Sequence, residues 1–179
     1  MDPRHERLLE ILKRESYVPG RVKLASGRES DFYIDVRKSA FLPEAASLIG
    51  EVLYDRVEPH ALNAVGGMAV GAIPLVDAVL HASMRRENPV QGFFVRKAAK
   101  GHGMQKRIEG RFAKGYRVAI LEDVVTTGDS SLGAAESVEA EGGTVALVLA
   151  LVDRLEGGRE AITARGYPFE AVFTRRDFV

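Results

Sequence analysis

Glu122 and Asp123 stand side by side after an apolar run, Val118-Ala119-Ile120-Leu121. Val124 and Val125 follow, then Thr126-Thr127-Gly128-Asp129-Ser130-Ser131, a hydroxyl-rich turn, and then a helical pattern. A buried strand, a polar loop at its carboxyl end and a helix N-terminus are where an open parallel sheet binds ligands. The turn offers backbone N–H groups, hydroxyls and a helix dipole, which together suit a phosphate. The carboxylates suit sugar hydroxyls or a magnesium ion. Two like charges at a buried strand end raise one another's pKa unless a cation or hydroxyls satisfy them. A phosphorylated sugar uses both halves at once. An Asp or Ser helix cap accounts for Asp129 or Ser130 alone and leaves the paired carboxylates without a reason.

A second constellation is basic. Asn88 to Ile108 contains no Asp or Glu, yet holds Arg96, Lys97, Lys100, His102, Lys106 and Arg107, interleaved with Gly101 and Gly103. Most charge runs are solvated faces. Charge of one sign, with glycines as hinges, favours a lid that closes over a polyanion. A third is Gly66-Gly67-Met68-Ala69-Val70-Gly71, after another short strand. It reads equally as a tight strand-to-helix connection or as close backbone approach to a second phosphate. The fourth is Asp153-Arg154, ending the apolar run 144–152. An Arg there can present a planar fork to a carboxylate or amide, or form a rim salt bridge.

The elements that position these groups follow from periodicity. Leu8, Leu9, Ile11 and Leu12 make an apolar stripe, predicting a helix over 2–16. Residues 21–37 alternate as a hairpin with its turn at 26–30. A helix over 43–56 opens with Pro43. Strands are predicted at 61–65, 90–95, 117–122, 144–152 and 169–174. Helices alternate with them at 73–86, 130–141 and 159–165, and Gly142-Gly143 caps one. Alternation implies an α/β fold with a central parallel sheet flanked by helices. The hairpin and first helices form a small N-terminal hood.

Composition bounds the rest. The chain has 179 residues, enough for one domain with a substantial core. Lys+Arg and Asp+Glu are both 25, a formal net charge of +0, which argues against a dedicated nucleic-acid binder. There is no cysteine, hence no disulfide, thiolate metal site or cysteine nucleophile. The charged N-terminus is no signal peptide, and no apolar run reaches the ~18 residues of a membrane span. A cytoplasmic protein is expected.

The residues carry a family resemblance. Glu122-Asp123-Val124-Val125-Thr126-Thr127-Gly128 resembles the signature that binds 5-phosphoribosyl-1-diphosphate (PRPP) in type I phosphoribosyltransferases. Leu24-Ala25-Ser26-Gly27-Arg28-Glu29-Ser30-Asp31-Phe32-Tyr33-Ile34-Asp35 resembles the N-terminal hairpin of the orotate branch. Arg96-Lys97-Ala98-Ala99-Lys100-Gly101-His102-Gly103 resembles its catalytic loop. With Asp153-Arg154, the likeness to orotate phosphoribosyltransferases spans residues 8–179. Two positions depart from it: Ala25 and Gly71 stand where many relatives carry lysine.

The resemblance implies a single domain, with a hood of about residues 1–40 plus the C-terminal segment and a core of about 41–160. It implies transfer of phosphoribosyl from PRPP to orotate, giving orotidine 5′-monophosphate and pyrophosphate. Lys100, His102 and Asp123 are the catalytic candidates. PRPP binding falls to Arg96, Lys97, Lys100, His102, Glu122, Asp123, Val124, Val125, Thr126, Thr127, Gly128, Asp129, Ser130 and Ser131. Orotate binding falls to Lys23, Phe32, Tyr33, Thr126 and Arg154. Mg²⁺ is expected as cofactor, held by PRPP and water with no direct protein ligand. A homodimer is expected, with loop 96–107 shared across the interface. Other base phosphoribosyltransferases, for purines or uracil, and a non-catalytic PRPP- or nucleotide-binding regulator are the alternatives.

Overall fold

A computed structural model describes residues 2–23, 29–97 and 107–179. Helix α1 (Pro3–Glu15) starts where Asp2 accepts a hydrogen bond from the Arg4 N–H at 2.9 Å, and it buries Leu8, Ile11 and Leu12. Strands β1 (Tyr17–Lys23) and β2 (Glu29–Ile34) form the hairpin. β1 begins four residues before the predicted start, because a register shift between Pro19 and Val22 lets the strand run through Pro19-Gly20. Glu29 and Ser30, predicted in the turn, lie in β2; residues 24–28 are outside the described residues.

The sequence reading missed a helix directly after the hairpin. α2 (Val36–Ala40) is started by Asp35, whose side chain accepts from the Arg37 N–H at 3.2 Å. The alternating pattern to Arg37 hid it, since a five-residue helix is too short to show a period. α3 (Pro43–Val57) follows with Pro43 in its first turn.

Then the strands and helices alternate as predicted: β3 (Ala64–Gly66), α4 (Ile73–Arg85), β4 (Gln91–Val95), β6 (Arg117–Val125), α5 (Asp129–Ala140), β7 (Thr144–Asp153), α6 (Gly158–Ala164) and β8 (Phe169–Thr174). A short edge strand, β5 (Ile108–Gly110), was not predicted. The sheet order is β5-β4-β3-β6-β7-β8, parallel except for β5 against β4.

Period-two alternation divides the core in two. Ala119, Leu121, Leu147 and Leu149 face α1, α3 and α4. Val118, Ile120, Val148 and Ala150 face α5 and α6. β7 is therefore apolar on both sides, as a central parallel strand must be. Each fully buried Leu or Ile here contributes roughly 1.5–3 kcal/mol. Among the described residues no helix is long and apolar enough to cross a membrane.

Candidate active site

From β3 the chain steps outward to β4 on one side; from β6 it steps to β7 on the other. The carboxyl ends of β3 and β6 therefore flank the switch point, where an open parallel sheet leaves a crevice. Two recesses meet there. A small one of about 150 Å³ is enclosed by the turn from Val124 to Ser131. A larger cleft of about 410 Å³ is lined by Tyr33, Asp35, Arg37, Met68 to Gly71, Lys97 and Asp123. Glu122, Val124 and Ser130 border both.

Gly128 takes a left-handed φ of +86° at the start of α5, which glycine adopts without strain. No side chain among the described residues caps α5, so its first N–H groups are open to an anion. The Thr127 hydroxyl donates to Asp129 at 2.8 Å. The turn is braced from behind. A Cβ at Gly158 would lie 2.4 Å from Val125 Cγ1 and 2.6 Å from the Thr126 carbonyl oxygen. The Arg154 N–H donates to the Val125 carbonyl at 3.0 Å.

β6 continues three residues beyond its predicted end, with Glu122 opposite Ala150 and Val125 opposite Asp153. The two carboxylates thus sit within the strand, at its carboxyl end, and both border the larger cleft. Glu122 is buried and accepts a hydrogen bond from the Ser131 hydroxyl at 2.9 Å. Burial, then the neighbouring Asp123 charge, pushes its pKa up to about 8; the Ser131 hydroxyl works against both. Asp123 faces the β3–α4 loop: a Cβ at Gly71 would lie 2.6–2.8 Å from its carboxylate.

Lys97 reaches the cleft. Arg96 instead pairs with Glu109 at 3.4 Å, and its N–H donates to the Arg107 carbonyl at 2.8 Å. Lys100 and His102 lie outside the described residues. Lys23 ends β1 opposite Glu29. Thr126 belongs to the turn recess, while Tyr33 lines the larger cleft. Phe32 was expected beside the acceptor base; it is fully buried and carries the Arg154 guanidinium 4.5 Å above its ring. Ring burial thus places Phe32 beneath Arg154 and out of the cleft. Arg154 is itself buried, with Glu156 accepting at 2.8–2.9 Å. Asp35 and Arg37 were not predicted for the site. Their only sequence signal was a polar pair just past the last strand residue.

No protein-family model matches the chain. Curated relatives named orotate phosphoribosyltransferase do. That of Sorangium cellulosum is 45% identical over 177 residues, covering 97% of this chain and 92% of the relative. That of Mycobacterium avium is 42% identical, covering 98% and 97%. Among solved structures, the orotate phosphoribosyltransferase of Mycobacterium tuberculosis is similar at a TM-score of 0.87 and 41% identity, covering 98% of this chain and 99% of that one. Its complex with PRPP is similar at 0.83 and 36%, covering 98% and 99%. An adenine phosphoribosyltransferase of Leishmania donovani, at 17% identity and a TM-score of 0.69, shares the fold.

Fold and crevice define a type I phosphoribosyltransferase, a mostly parallel sheet with its ligand turn at the switch point. Within that class the long, near-complete matches are to one branch. The chain belongs to the orotate phosphoribosyltransferase family, and it is an enzyme.

Proposed function

We propose that the chain transfers the 5-phosphoribosyl group of PRPP to orotate, releasing pyrophosphate and forming orotidine 5′-monophosphate. The observation that carries this reading is the pair of recesses joined at Glu122 and Ser130. The turn recess takes the 5′-phosphate on the open N–H groups of α5 and the Thr126 and Ser130 hydroxyls. The ribose then lies over Asp123 and the rim of Glu122, and the diphosphate and base occupy the larger cleft.

In the transfer, the C1–O bond to the diphosphate breaks and its electron pair leaves with that group. A ring nitrogen of orotate forms the new bond to C1, and its N–H proton is released to the departing diphosphate or water. Asp123 favours the positive charge that gathers on the sugar. Lys97, with Lys100 and His102, favours the negative charge that gathers on the leaving group. Arg154, fixed on Phe32 and Glu156, offers a planar fork at the acceptor side.

Among the described residues no cluster of three or more acidic or histidine side chains could hold a metal by itself. The phosphate oxygens and ribose hydroxyls of PRPP, with water, are hard oxygen donors that suit Mg²⁺, and no direct protein ligand is called for. Bound there, the ion would lower the charge that the cations of the cleft must meet.

The working unit we propose is a homodimer in the cytoplasm with loop 96–107 shared across the interface: Lys97 lines its own protomer's cleft, and the residues beyond it reach the other's. What supports it is the family likeness and a groove of about 570 Å³ beside the cleft, with exposed Phe41, Val70 and Ile73 on its walls. Val70 borders both spaces, so a second copy seated on the groove lies next to the site. The decisive experiment follows loss of orotate absorbance with PRPP and Mg²⁺, and repeats it with hypoxanthine, adenine and uracil. Turnover of orotate alone is expected; preference for another base, or no turnover at all, overturns the reading.

A further inference from the structure

The larger cleft has no surplus of positive charge: Glu122 keeps its proton at neutral pH, and Asp35 and Asp123 offset the two cations. Asp35, Glu122 and Asp123 line it, against Arg37 and Lys97 among the described residues. A diphosphate entering it needs cations, and the β3–α4 loop, residues 67–72, contains no Lys or Arg to supply one. A side chain at position 71 would also press on the Asp123 carboxylate, 2.6 Å from where its Cβ would stand. The start of α2, where Arg37 stands, lines the same cleft.

We infer that Arg37 is a diphosphate-binding residue of this enzyme, its guanidinium fork held at the cleft wall by Asp35. The inference rests on the proposed reaction and adds to it a residue that the family likeness did not indicate.

Three features of the geometry support it. Asp35 accepts from Arg37 Nε at 2.8 Å and from Nη2 at 3.0 Å, so the fork has a fixed orientation before any ligand arrives. The guanidinium has five N–H donors, and among the described residues Nη1 has no recorded partner; that edge remains for a phosphate oxygen. The Arg37 side chain is 51% exposed while Asp35 is 17% exposed, which places the cation on the open side of the pair. Asp35, through its hydrogen bond and its charge, makes Arg37 hold its proton more tightly, and the more distant Asp123 carboxylate adds a little.

Position selects the diphosphate over the 5′-phosphate. Arg37 lines the larger cleft and is absent from the turn recess, where the open N–H groups of α5 lie. With the 5′-phosphate in the turn, the ribose crosses Glu122 and the C1 substituent points into the lobe that Arg37 borders. An exposed ion pair of this kind contributes little to stability, so the fold does not depend on it.

The test uses the full-length protein and two probes, magnesium pyrophosphate and ribose 5-phosphate, titrated calorimetrically, with steady-state kinetics beside them. Arg37→Ala is expected to weaken pyrophosphate binding about tenfold and to raise the KM for PRPP similarly, as for loss of one charge-assisted contact. Ribose 5-phosphate affinity and the KM for orotate should stay within about twofold. Arg37→Lys should recover part of the loss. Asp35→Asn, which removes the carboxylate charge but leaves an amide oxygen to hold the fork, should lose less pyrophosphate affinity than Arg37→Ala does. Unchanged pyrophosphate affinity in Arg37→Ala overturns the inference. So does an equal loss in Asp35→Asn, or a loss confined to orotate. Failure of the unaltered enzyme to consume orotate would sink the proposed reaction instead, and the pyrophosphate titration would still report on Arg37.

Discussion

The hydroxyl of Ser131, in the first turns of α5, donates a 2.9 Å hydrogen bond to the carboxylate of Glu122 on β6, and both residues are buried. This contact joins the phosphate turn to the acidic strand end through their side chains. Ser131 was expected to touch PRPP; its hydroxyl is committed to Glu122. Any movement of α5 on phosphate binding is therefore felt at the carboxylate bordering the ribose.

The first prediction concerns pH. In the folded protein Glu122 releases its proton near pH 8, against an ordinary value of 4.5. Between those values the folded state binds this proton more tightly than the unfolded chain does. The group's contribution to stability is thus complete below about pH 4.5 and is lost as pH rises through 8. Glu122→Gln cannot ionise and should remove this slope, gaining on the parent enzyme as pH rises from 5 to 8. Ser131→Ala, lacking the hydroxyl that favours the ionised form, should carry the loss on to higher pH. Urea unfolding in the absence of substrate, across that range and above it, measures both; parallel pH profiles in all three proteins would refute the assignment.

The second prediction concerns the brace behind the turn. Gly158→Ala places a methyl 2.4 Å from Val125 Cγ1 and 2.6 Å from the Thr126 carbonyl. Neither neighbour can yield without moving the turn, at a cost of about 1–3 kcal/mol. The KM for PRPP should rise and the KM for orotate should change little. A variant with normal PRPP kinetics would show that the turn does not rely on α6.

Much of this arrangement was legible in the sequence because local chemistry and periodicity agreed. The apolar run into Glu122 located β6, and Gly142-Gly143 capped α5 as read. Both terminal hydrogen bonds are present, from Gly142 to the Glu139 carbonyl and from Gly143 to the Val138 carbonyl. What escaped was set by tertiary pairing. β6 runs on to Val125 because β7 offers partners as far as Asp153. β5 has three residues and exists by pairing with β4. Phe32 alternates correctly in its strand, yet only the packed fold shows Arg154 above its ring. Arg37 entered the cleft through α2, which no periodic signal announced.

The third prediction tests Arg154. Lysine has no planar fork to meet Glu156 at 2.8–2.9 Å while lying 4.5 Å above the Phe32 ring. Arg154→Lys should raise the KM for orotate by roughly tenfold or more and leave that for PRPP nearly unchanged, as for a lost bidentate contact on one substrate. Equal effects on both substrates would place Arg154 in general support of the fold.

The fourth concerns assembly. Phe41 is 76% exposed and Val70 67% exposed on the groove beside the cleft. If a second copy covers them, Phe41→Glu buries a charge at the contact and should shift the protein toward monomer in sedimentation analysis, with activity falling as dimer is lost. A dimer of unchanged strength would move the interface elsewhere.

The last prediction asks whose loop serves whose cleft. Lys100→Ala should lower turnover by roughly 10²–10³, the loss of one preorganised charge at the leaving group, with the fold intact. Asp123→Asn should be inactive for a separate reason, since it removes charge from the strand end that borders the ribose. If loop 96–107 crosses between protomers, a mixed dimer of the two variants holds one site with both defects and one with neither. Mixing the two inactive proteins should then restore activity toward a quarter of the unaltered level, because about half the dimers are mixed and each has one sound site. If the loop folds over its own protomer's cleft, every site keeps a defect and mixing restores nothing. Subunit exchange, followed with differently tagged chains, separates that outcome from a failure to mix.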